Sequence, residues 1–150
     1  MTLRDFEQYL HENIPLSKAM QVTVVVRNPD QVVLSAPLAP NVNPHKTVFG
    51  GSISAVAMLA AWSLLHTRLK TSGLSALLVL KRNTMNYEVP VSGNFNVTAS
   101  APDTEAWDAF ARMLTLRGRA RIIVSAVIEY RGQVAGRFEG EFVALGTTPI

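Results

Sequence analysis

The residues Phe49-Gly50-Gly51-Ser52 open the apolar run ISAVAMLAAWSLLHTRL at positions 53–69. Nearly every helical face of residues 53–65 is apolar, which predicts a helix that other elements surround rather than one that lies on a surface. We predict this central helix at 52–69, because the side-chain oxygen of Ser52 can accept a hydrogen bond from the first free N–H groups and act as N-cap. The apolar part is shorter than the roughly 20 residues that cross a bilayer, so we expect a buried helix and no membrane span.

Segments with strand-like patterns lie on both sides of the central helix. Runs rich in Val and Thr form them, and Pro, Gly and Asn turn signals delimit them. The predicted elements are a short amphipathic helix at 3–11, a strand hairpin at 20–26 and 32–38, strands at 76–87 and 94–101, an extra helix at 103–116, and closing strands at 119–130 and 134–145. This order predicts an α+β fold in a single domain, 1–150, with an antiparallel sheet wrapped around the central helix. One sheet does not cover a helix that is apolar all round, so we expect a homo-oligomer, either a dimer or a tetramer.

The composition of the chain excludes several classes of site. Of its 150 residues, 48% are hydrophobic and 17% are charged, which is typical of a globular protein. There is no cysteine, and His11, His45 and His66 show no metal-ligand spacing, so we expect no disulfide, no Cys nucleophile and no metal site. The N-terminal residues lack the apolar core of a signal peptide, which predicts a cytoplasmic protein. The net charge of +3 suits an anionic partner, but the basic residues are scattered and not interleaved with aromatic side chains, so we expect no nucleic-acid binding.

Several segments resemble thioesterases of the hot-dog fold, and together they cover nearly the whole chain, residues 15–146. The Phe49-Gly50-Gly51 step is similar to the His-Gly-Gly step of those enzymes, NTMNYEVP at 83–90 is similar to their third strand, and residues 131–145 are similar to their final hairpin. The motif NVNPHKTVFGGS at 41–52 resembles, more narrowly, the thioesterase-like family named for the C-terminal domain of YiiD, whose members are also described as malonyl-carrier-protein decarboxylases. The resemblance implies an enzyme of fatty-acid metabolism that acts on a small acyl thioester of coenzyme A or of acyl carrier protein, with no further cofactor.

The glycine pair and the start of the central helix form the core of the predicted site. Glycines let the backbone approach a bound carbonyl closely, and the free N–H groups near Gly51 and Ser52 carry partial positive charge. These groups are therefore candidates for an oxyanion hole around the thioester oxygen. The alternative is that Gly50 and Gly51 only allow a tight turn to pack against the sheet.

Side chains of the loop before the helix are the other catalytic candidates. Asn43 lies six residues before Phe49, and the resemblance to thioesterases of the phenylacetic-acid pathway, which have an Asn six residues before their His, implies a polar group aimed at the substrate. The alternative for Asn43 is a turn residue before a proline. His45 is a candidate acid, base or donor and Thr47 a candidate donor, or both are ordinary loop residues. Ser52 is predicted as a cap first and as a nucleophile only second, since no His–acid relay is placed near it in sequence.

Five further residues are expected to bind substrate. Phe49, Gly50 and Met58 are placed to line the acyl pocket. Lys81 and Arg82 are candidates for phosphate contacts with the pantetheine arm or for docking an acidic carrier protein. Alternatively, this basic pair belongs to a solvated face.

Two departures from the thioesterase pattern bear on the reaction. Phe49 stands where the loop His is expected, and Met58 and Leu59 stand nine and ten residues later, where related enzymes place an Asp or Glu. No acidic residue lies between Asp30 and Glu88, so neither the loop nor the helix offers a base to activate water. Decarboxylation of a malonyl thioester needs no such base, and we therefore predict a malonyl-carrier-protein decarboxylase that forms acetyl-carrier protein.

Two alternatives stay open at this point. A thioesterase that acts on acyl-CoA or acyl-carrier protein fits if a carboxylate from elsewhere, such as Glu88 or Asp103, enters the pocket. A non-catalytic binder of acyl thioesters would keep the pocket but show no turnover.

Overall fold

The structure, a computed structural model, describes residues 1–146 of the chain. These residues form four helices and six strands, with one short 3₁₀ turn before the third helix. In chain order they are α1 (Leu3–Asn13), α2 (Pro15–Ala19), β1 (Thr23–Arg27), β2 (Gln31–Ala36), the 3₁₀ turn (Ala39–Asn41), α3 (Gly50–Thr71), β3 (Ala76–Tyr87), β4 (Phe95–Ser100), α4 (Thr104–Arg117), β5 (Arg119–Tyr130) and β6 (Gln133–Gly146).

The structure corrects the predicted elements at two places. The segment that we expected to connect the first helix to the first strand forms α2, because Pro15 has the fixed φ that suits the first position of a helix. The first strand consequently starts later than predicted, at Thr23, after Gln21 turns the chain with a φ of 56°. The prediction that Ser52 is the N-cap of the central helix is wrong, since α3 begins at Gly50 and its N-cap is Phe49.

A six-stranded antiparallel sheet wraps around α3. The strand order is β1-β2-β4-β5-β6-β3, so β1 and β3 form the two edges. Val56, Ala60 and Leu64 of α3 are fully buried and belong to the same hydrophobic core as the inward side chains of the sheet, among them Val97 and Phe142. This burial explains why the sequence of α3 shows almost no polar face.

Side chains of α1 and α4 contact α3 near its C-terminal end. Phe6 of α1 is fully buried, and Tyr9 stacks on His66 of α3 with 5.6 Å between ring centroids. Two residues further along α3, the guanidinium of Arg68 lies 4.5 Å from the ring centroid of Trp107 in α4. A stripe of α3 stays half-buried; it consists of Ala55, Met58, Trp62 and His66.

Strand β3 and the loop before α3 position the candidate site. The hydroxyl of Tyr87, the last residue of β3, donates a hydrogen bond of 2.9 Å to the carbonyl oxygen of Gly50. This bond ties the end of the edge strand to the first turn of α3. Within residues 1–146, no helix combines the length and the apolarity that a membrane crossing requires.

Candidate functional site

Asn43 closes the loop that leads into α3. Its Oδ1 accepts hydrogen bonds from the N–H groups of His45 (2.8 Å) and Thr47 (3.2 Å), and its Nδ2 donates to the hydroxyl of Thr47 (2.8 Å). The backbone N–H of Asn43 also donates to the carbonyl of Thr47 at 2.8 Å. This geometry is that of a turn residue, which was the alternative explanation of Asn43. A direct contact with substrate stays a prediction, and the second amide hydrogen is the atom available for it.

Asn41 fixes the loop at the start of α3, a role that no pattern in the sequence indicated. Its carbonyl accepts from the N–H of Phe49 at 2.7 Å, and its buried Nδ2 donates to the carbonyls of Met20 (3.0 Å) and Pro37 (2.8 Å). Because one partner lies 21 residues away in sequence, local patterns gave no signal for this residue. Asn41 joins the end of α2, the end of β2 and the N-cap of α3.

The first turn of α3 presents two backbone donors. The N–H groups of Ser52 (2.9 Å) and Ile53 (3.2 Å) donate to the carbonyl of Phe49, whereas those of Gly50 and Gly51 donate to no acceptor within residues 1–146. Unpaired N–H groups at a helix N-terminus carry the positive end of the helix dipole. The available pair is therefore Gly50 and Gly51 rather than the expected pair of Gly51 and Ser52.

The two glycines differ in how tightly they are enclosed. A Cβ on Gly51 would lie 2.3 Å from Cε2 of the Phe49 ring, so this ring lies directly over Gly51. A Cβ on Gly50 would lie 3.4 Å from the ring of Tyr87, which is an ordinary contact. The glycine pair thus sits between two aromatic rings, and only at Gly51 would a larger side chain force a neighbouring group to move.

Two cavities flank this turn, each of about 260 Å³. The first, which we call the α2 cavity, lies between α2 and α3, and its lining includes Leu16, Ala19, Asn41, Phe49, Gly51, Ser52 and Ala55. The second, which we call the Tyr87 cleft, lies between α3 and the end of β3, and its lining includes Val48, Gly50, Ile53, Tyr87, Glu88 and Val91. One free donor residue therefore borders each cavity.

Glu88 and Asp103 were the two carboxylates considered as bases, and one of them lies beside the glycine pair. Glu88 lines the Tyr87 cleft, and its Oε2 lies 3.1 Å from Nε of Arg137. Asp103 instead accepts a hydrogen bond from the N–H of Ala106 at 2.8 Å, caps α4, and lines a different groove that includes Arg121. Glu88 is the only one of the two placed beside the glycine pair.

The remaining predicted residues lie at the rim of the site or away from it. His45 is exposed in the loop, and Met58 is half-buried against the core about two turns along α3 from Gly50. Lys81 and Arg82 lie five to six residues before Tyr87 on β3, roughly 17–20 Å along the strand. Arg82 faces Glu141, with 3.1 Å between Nε and Oε2, so one chain does not bring this basic pair to the glycine pair.

Residues 1–146 contain no group of three or more His, Cys, Asp or Glu side chains close enough together to hold a metal ion. The chemistry open to the site as described rests on backbone donors, the amides and hydroxyls around the turn, and the carboxylate of Glu88. Such a set can stabilise negative charge on a carbonyl oxygen.

The sequence profile of the family described as "Putative thioesterase (yiiD_Cterm)" matches residues 3–146. The chain belongs to this family. The family was expected from the motif at 41–52, and the match confirms it over almost the full length rather than over the motif alone.

Solved structures confirm the hot-dog fold. A protein of unknown function from Chlorobaculum tepidum is 26% identical, with a TM-score of 0.89 over 96% of this chain and 94% of that one. A structure described as a putative thioesterase from Shewanella oneidensis is 28% identical, with a TM-score of 0.84 over 95% and 96% of the two chains. A thioesterase from Haemophilus influenzae, only 12% identical, has the same fold with a TM-score of 0.77 over 97% and 92%.

Proposed function

We propose that this member of the YiiD C-terminal-domain family decarboxylates a malonyl group on acyl carrier protein and leaves acetyl-carrier protein. The observation that carries the proposal is the pair of unpaired N–H groups of Gly50 and Gly51 at the start of a helix that has no acidic residue. The family match supports an acyl-thioester enzyme, and the chemistry around this turn favours loss of carbon dioxide.

The reaction places negative charge where these donors lie. When the bond between C2 and the carboxylate breaks, its electron pair forms an enolate whose charge rests on the thioester oxygen. Each backbone donor aimed at such an oxygen contributes roughly 3 kcal/mol to lowering the barrier. Carbon dioxide leaves without a proton, and water or His45 then supplies the proton that C2 needs.

The proposed role of Asn43 is to orient the thioester or the carboxylate through its second amide hydrogen. Because Asn43 also closes the loop, Asn43→Ala removes both functions. Asn43→Asp is the matched control, since it keeps the oxygen that accepts from His45 and Thr47 but has no amide hydrogen. Retention of decarboxylation by Asn43→Asp would show that the side chain acts through the loop and would contradict the proposed contact with substrate.

The direct test is incubation of the purified protein with malonyl-carrier protein, followed by mass spectrometry of the carrier and assay of free thiol. Conversion to acetyl-carrier protein without thiol release is the expected result. Malonyl- and acetyl-CoA are assayed in parallel, which shows whether coenzyme A replaces the carrier. Tight binding of these thioesters without any turnover would contradict the proposal and support the non-catalytic binder.

A second candidate is a thioesterase, which the position of Glu88 favours. Glu88 lines the same cleft as Gly50 and could activate a water molecule there as a general base. Glu88→Gln keeps the side-chain shape and removes the base. If thiol is released from acyl-carrier protein or acyl-CoA and Glu88→Gln abolishes that release while malonyl is left intact, the enzyme is a thioesterase.

We further propose that the protein works as a homo-oligomer. The edge strand β3 is long and carries Leu77 and Val79, which are 57% and 42% exposed. An unprotected edge with exposed apolar residues is a template for pairing with another copy. Light scattering after size-exclusion chromatography should give a dimer or tetramer, and the Val79→Lys variant should shift it toward monomer; a monomeric parent protein would contradict this proposal.

A further inference from the structure

The two cavities beside the glycine pair differ in charge. Among residues 1–146, no charged residue lines the α2 cavity, whereas the Tyr87 cleft contains Glu88. A carboxylate placed in the Tyr87 cleft would be repelled by Glu88 even though Arg137 partly neutralises it. A substrate that carries its own carboxylate is therefore better accommodated on the α2 side of the turn.

Two residues that line the α2 cavity each have a polar side-chain atom without a partner among residues 1–146. Asn41 is 2% exposed, and its Oδ1 accepts no hydrogen bond. The orientation of this amide is fixed, because its Nδ2 donates to two carbonyl oxygens. The hydroxyl of the half-buried Ser52 likewise bonds to no other residue in that part of the chain. Of the two groups, the Ser52 hydroxyl is the one that a ligand in the cavity can reach, because Oδ1 of Asn41 is sealed from solvent.

We infer that the α2 cavity receives the acyl end of the substrate with its terminal carboxylate, while the thioester arm leaves through the Tyr87 cleft. This inference rests on the proposed function and assigns its substrate to one side of the turn. The Ser52 hydroxyl donates to the carboxylate, and a water molecule in the cavity donates one hydrogen to it as well. The positive end of α3 favours the same charge.

The same water completes the reaction. After the bond between C2 and the carboxylate breaks, the enolate carbon takes one proton from this water and becomes the methyl group of the acetyl thioester. The hydroxide that remains combines with the released carbon dioxide as hydrogencarbonate. Malonyl thioester and water thus give acetyl thioester and hydrogencarbonate, and no other reactant is needed.

The walls of the α2 cavity shape the space for the acyl group. The cavity volume of about 260 Å³ lies below the range of roughly 300–1,000 Å³ of pockets for drug-sized ligands. Ala55 forms part of its inner wall, and Leu16, which is 58% exposed, forms part of its rim. A larger residue at Ala55 should close the cavity, and a smaller one at Leu16 should open it.

Calorimetry with a stable probe tests this placement. The probe is the amide analogue of malonyl-pantetheine, in which N–H replaces the sulfur, and pantetheine alone measures binding of the arm. We expect Ala55→Leu to weaken the malonyl analogue at least about tenfold and pantetheine by less than about twofold. Ala109→Leu, an exposed position on α4, is the matched control and should change neither. Leu16→Ala should raise the affinity for the succinyl analogue relative to the malonyl one by roughly threefold or more.

A further variant tests the carboxylate itself. Ser52→Ala should weaken the malonyl analogue about fivefold relative to the butyryl analogue, which has no carboxylate. The inference would be overturned if Ser52→Ala weakened the binding of both analogues equally, or if Ala55→Leu bound the malonyl analogue as Ala109→Leu does. Either result would count even if malonyl-carrier protein is decarboxylated. Cavity-dependent binding without turnover of any thioester would leave the inference standing and reject the proposed function. Absence of both binding and turnover would reject the two together.

Discussion

We expect Gly51→Ala to disturb the geometry of the candidate site while changing the free energy of unfolding little. The new Cβ would lie 2.3 Å from Cε2 of Phe49. An ordinary contact needs about 3.4 Å, so either the Phe49 ring or the first turn of α3 has to move by roughly 1 Å. The ring borders the α2 cavity and the turn carries the two free donors, so either movement disturbs the candidate site.

The stability terms of this change nearly cancel. Alanine is favoured over glycine inside a helix by about 1 kcal/mol. Displacing the Phe49 ring from its rotamer costs about 0.5–1.5 kcal/mol, and little burial is lost because 58% of that residue is exposed. We expect the free energy of unfolding to stay within about 1 kcal/mol of the parent value. A misplacement of about 1 Å in an active site can lower kcat/KM about 100-fold, so we expect a loss of roughly 10- to 100-fold.

Urea unfolding and kcat/KM on malonyl-carrier protein measure the two effects. Gly50→Ala is the matched control, because its Cβ meets the Tyr87 ring at 3.4 Å and should lower kcat/KM only a few-fold. Adding Phe49→Ala to Gly51→Ala removes the clash and should return kcat/KM to the level of Phe49→Ala alone. Equal losses for Gly50→Ala and Gly51→Ala, or a double variant no better than Gly51→Ala, would refute the reasoning.

Three further predictions concern stability. Burial and the neighbouring cations Lys70 and Arg27 lower the pKa of His66, so the unfolded chain protonates this imidazole more readily than the folded chain does. The free energy of unfolding should therefore be greatest above about pH 6.5 and fall as the pH drops through the lowered pKa of the folded state. Urea titrations at several pH values should show this slope flattened in His66→Phe, and an unchanged slope would count against it. Leu64→Ala, at a fully buried site, should cost about 2–5 kcal/mol in the same assay. Leu116→Ala, at a position of α4 that is 75% exposed, should cost under about 1 kcal/mol, and equal costs would contradict the assigned core. Tyr87→Phe removes the hydrogen bond to Gly50 and should cost about 0.5–1.5 kcal/mol, and a larger loss would mean that the hydroxyl does more than anchor the turn.

The sequence predicted the sheet and the central helix well because their patterns are strong and local. Strands β3 and β5 have the predicted bounds, since alternation and flanking turn residues mark both ends. Helix α2 was missed because five residues beginning at Pro15 are too few to show a helical period. The start of α3 was placed two residues late because Ser52 has a capping side chain, yet here the backbone carbonyl of Phe49 accepts from the first turn.

The candidate site was predicted less completely, because its geometry depends on residues far apart in sequence. The glycine pair was identified from the motif, but which N–H groups are free depends on the hydrogen bonds that Phe49 accepts. Asn41 escaped notice since its partners belong to α2 and β2. Glu88 was named as a possible base, but a local motif could not show that it lines the same cleft as Gly50, because the two residues are 38 positions apart.

The two departures from the thioesterase pattern both replace an ionisable side chain by an apolar one. Where related enzymes have a His, Phe49 covers Gly51 with an apolar ring, and where they have an acid, α3 has Met58 packed toward the core. Neither Phe49 nor Met58 has an ionisable side chain, so these positions offer no base to activate water. The N–H groups of Gly50 and Gly51 bond to no acceptor within residues 1–146, so they stay available to the negative charge of an enolate. The same replacements therefore remove the means to activate water but leave the means to stabilise an enolate, which is why we favour decarboxylation over hydrolysis.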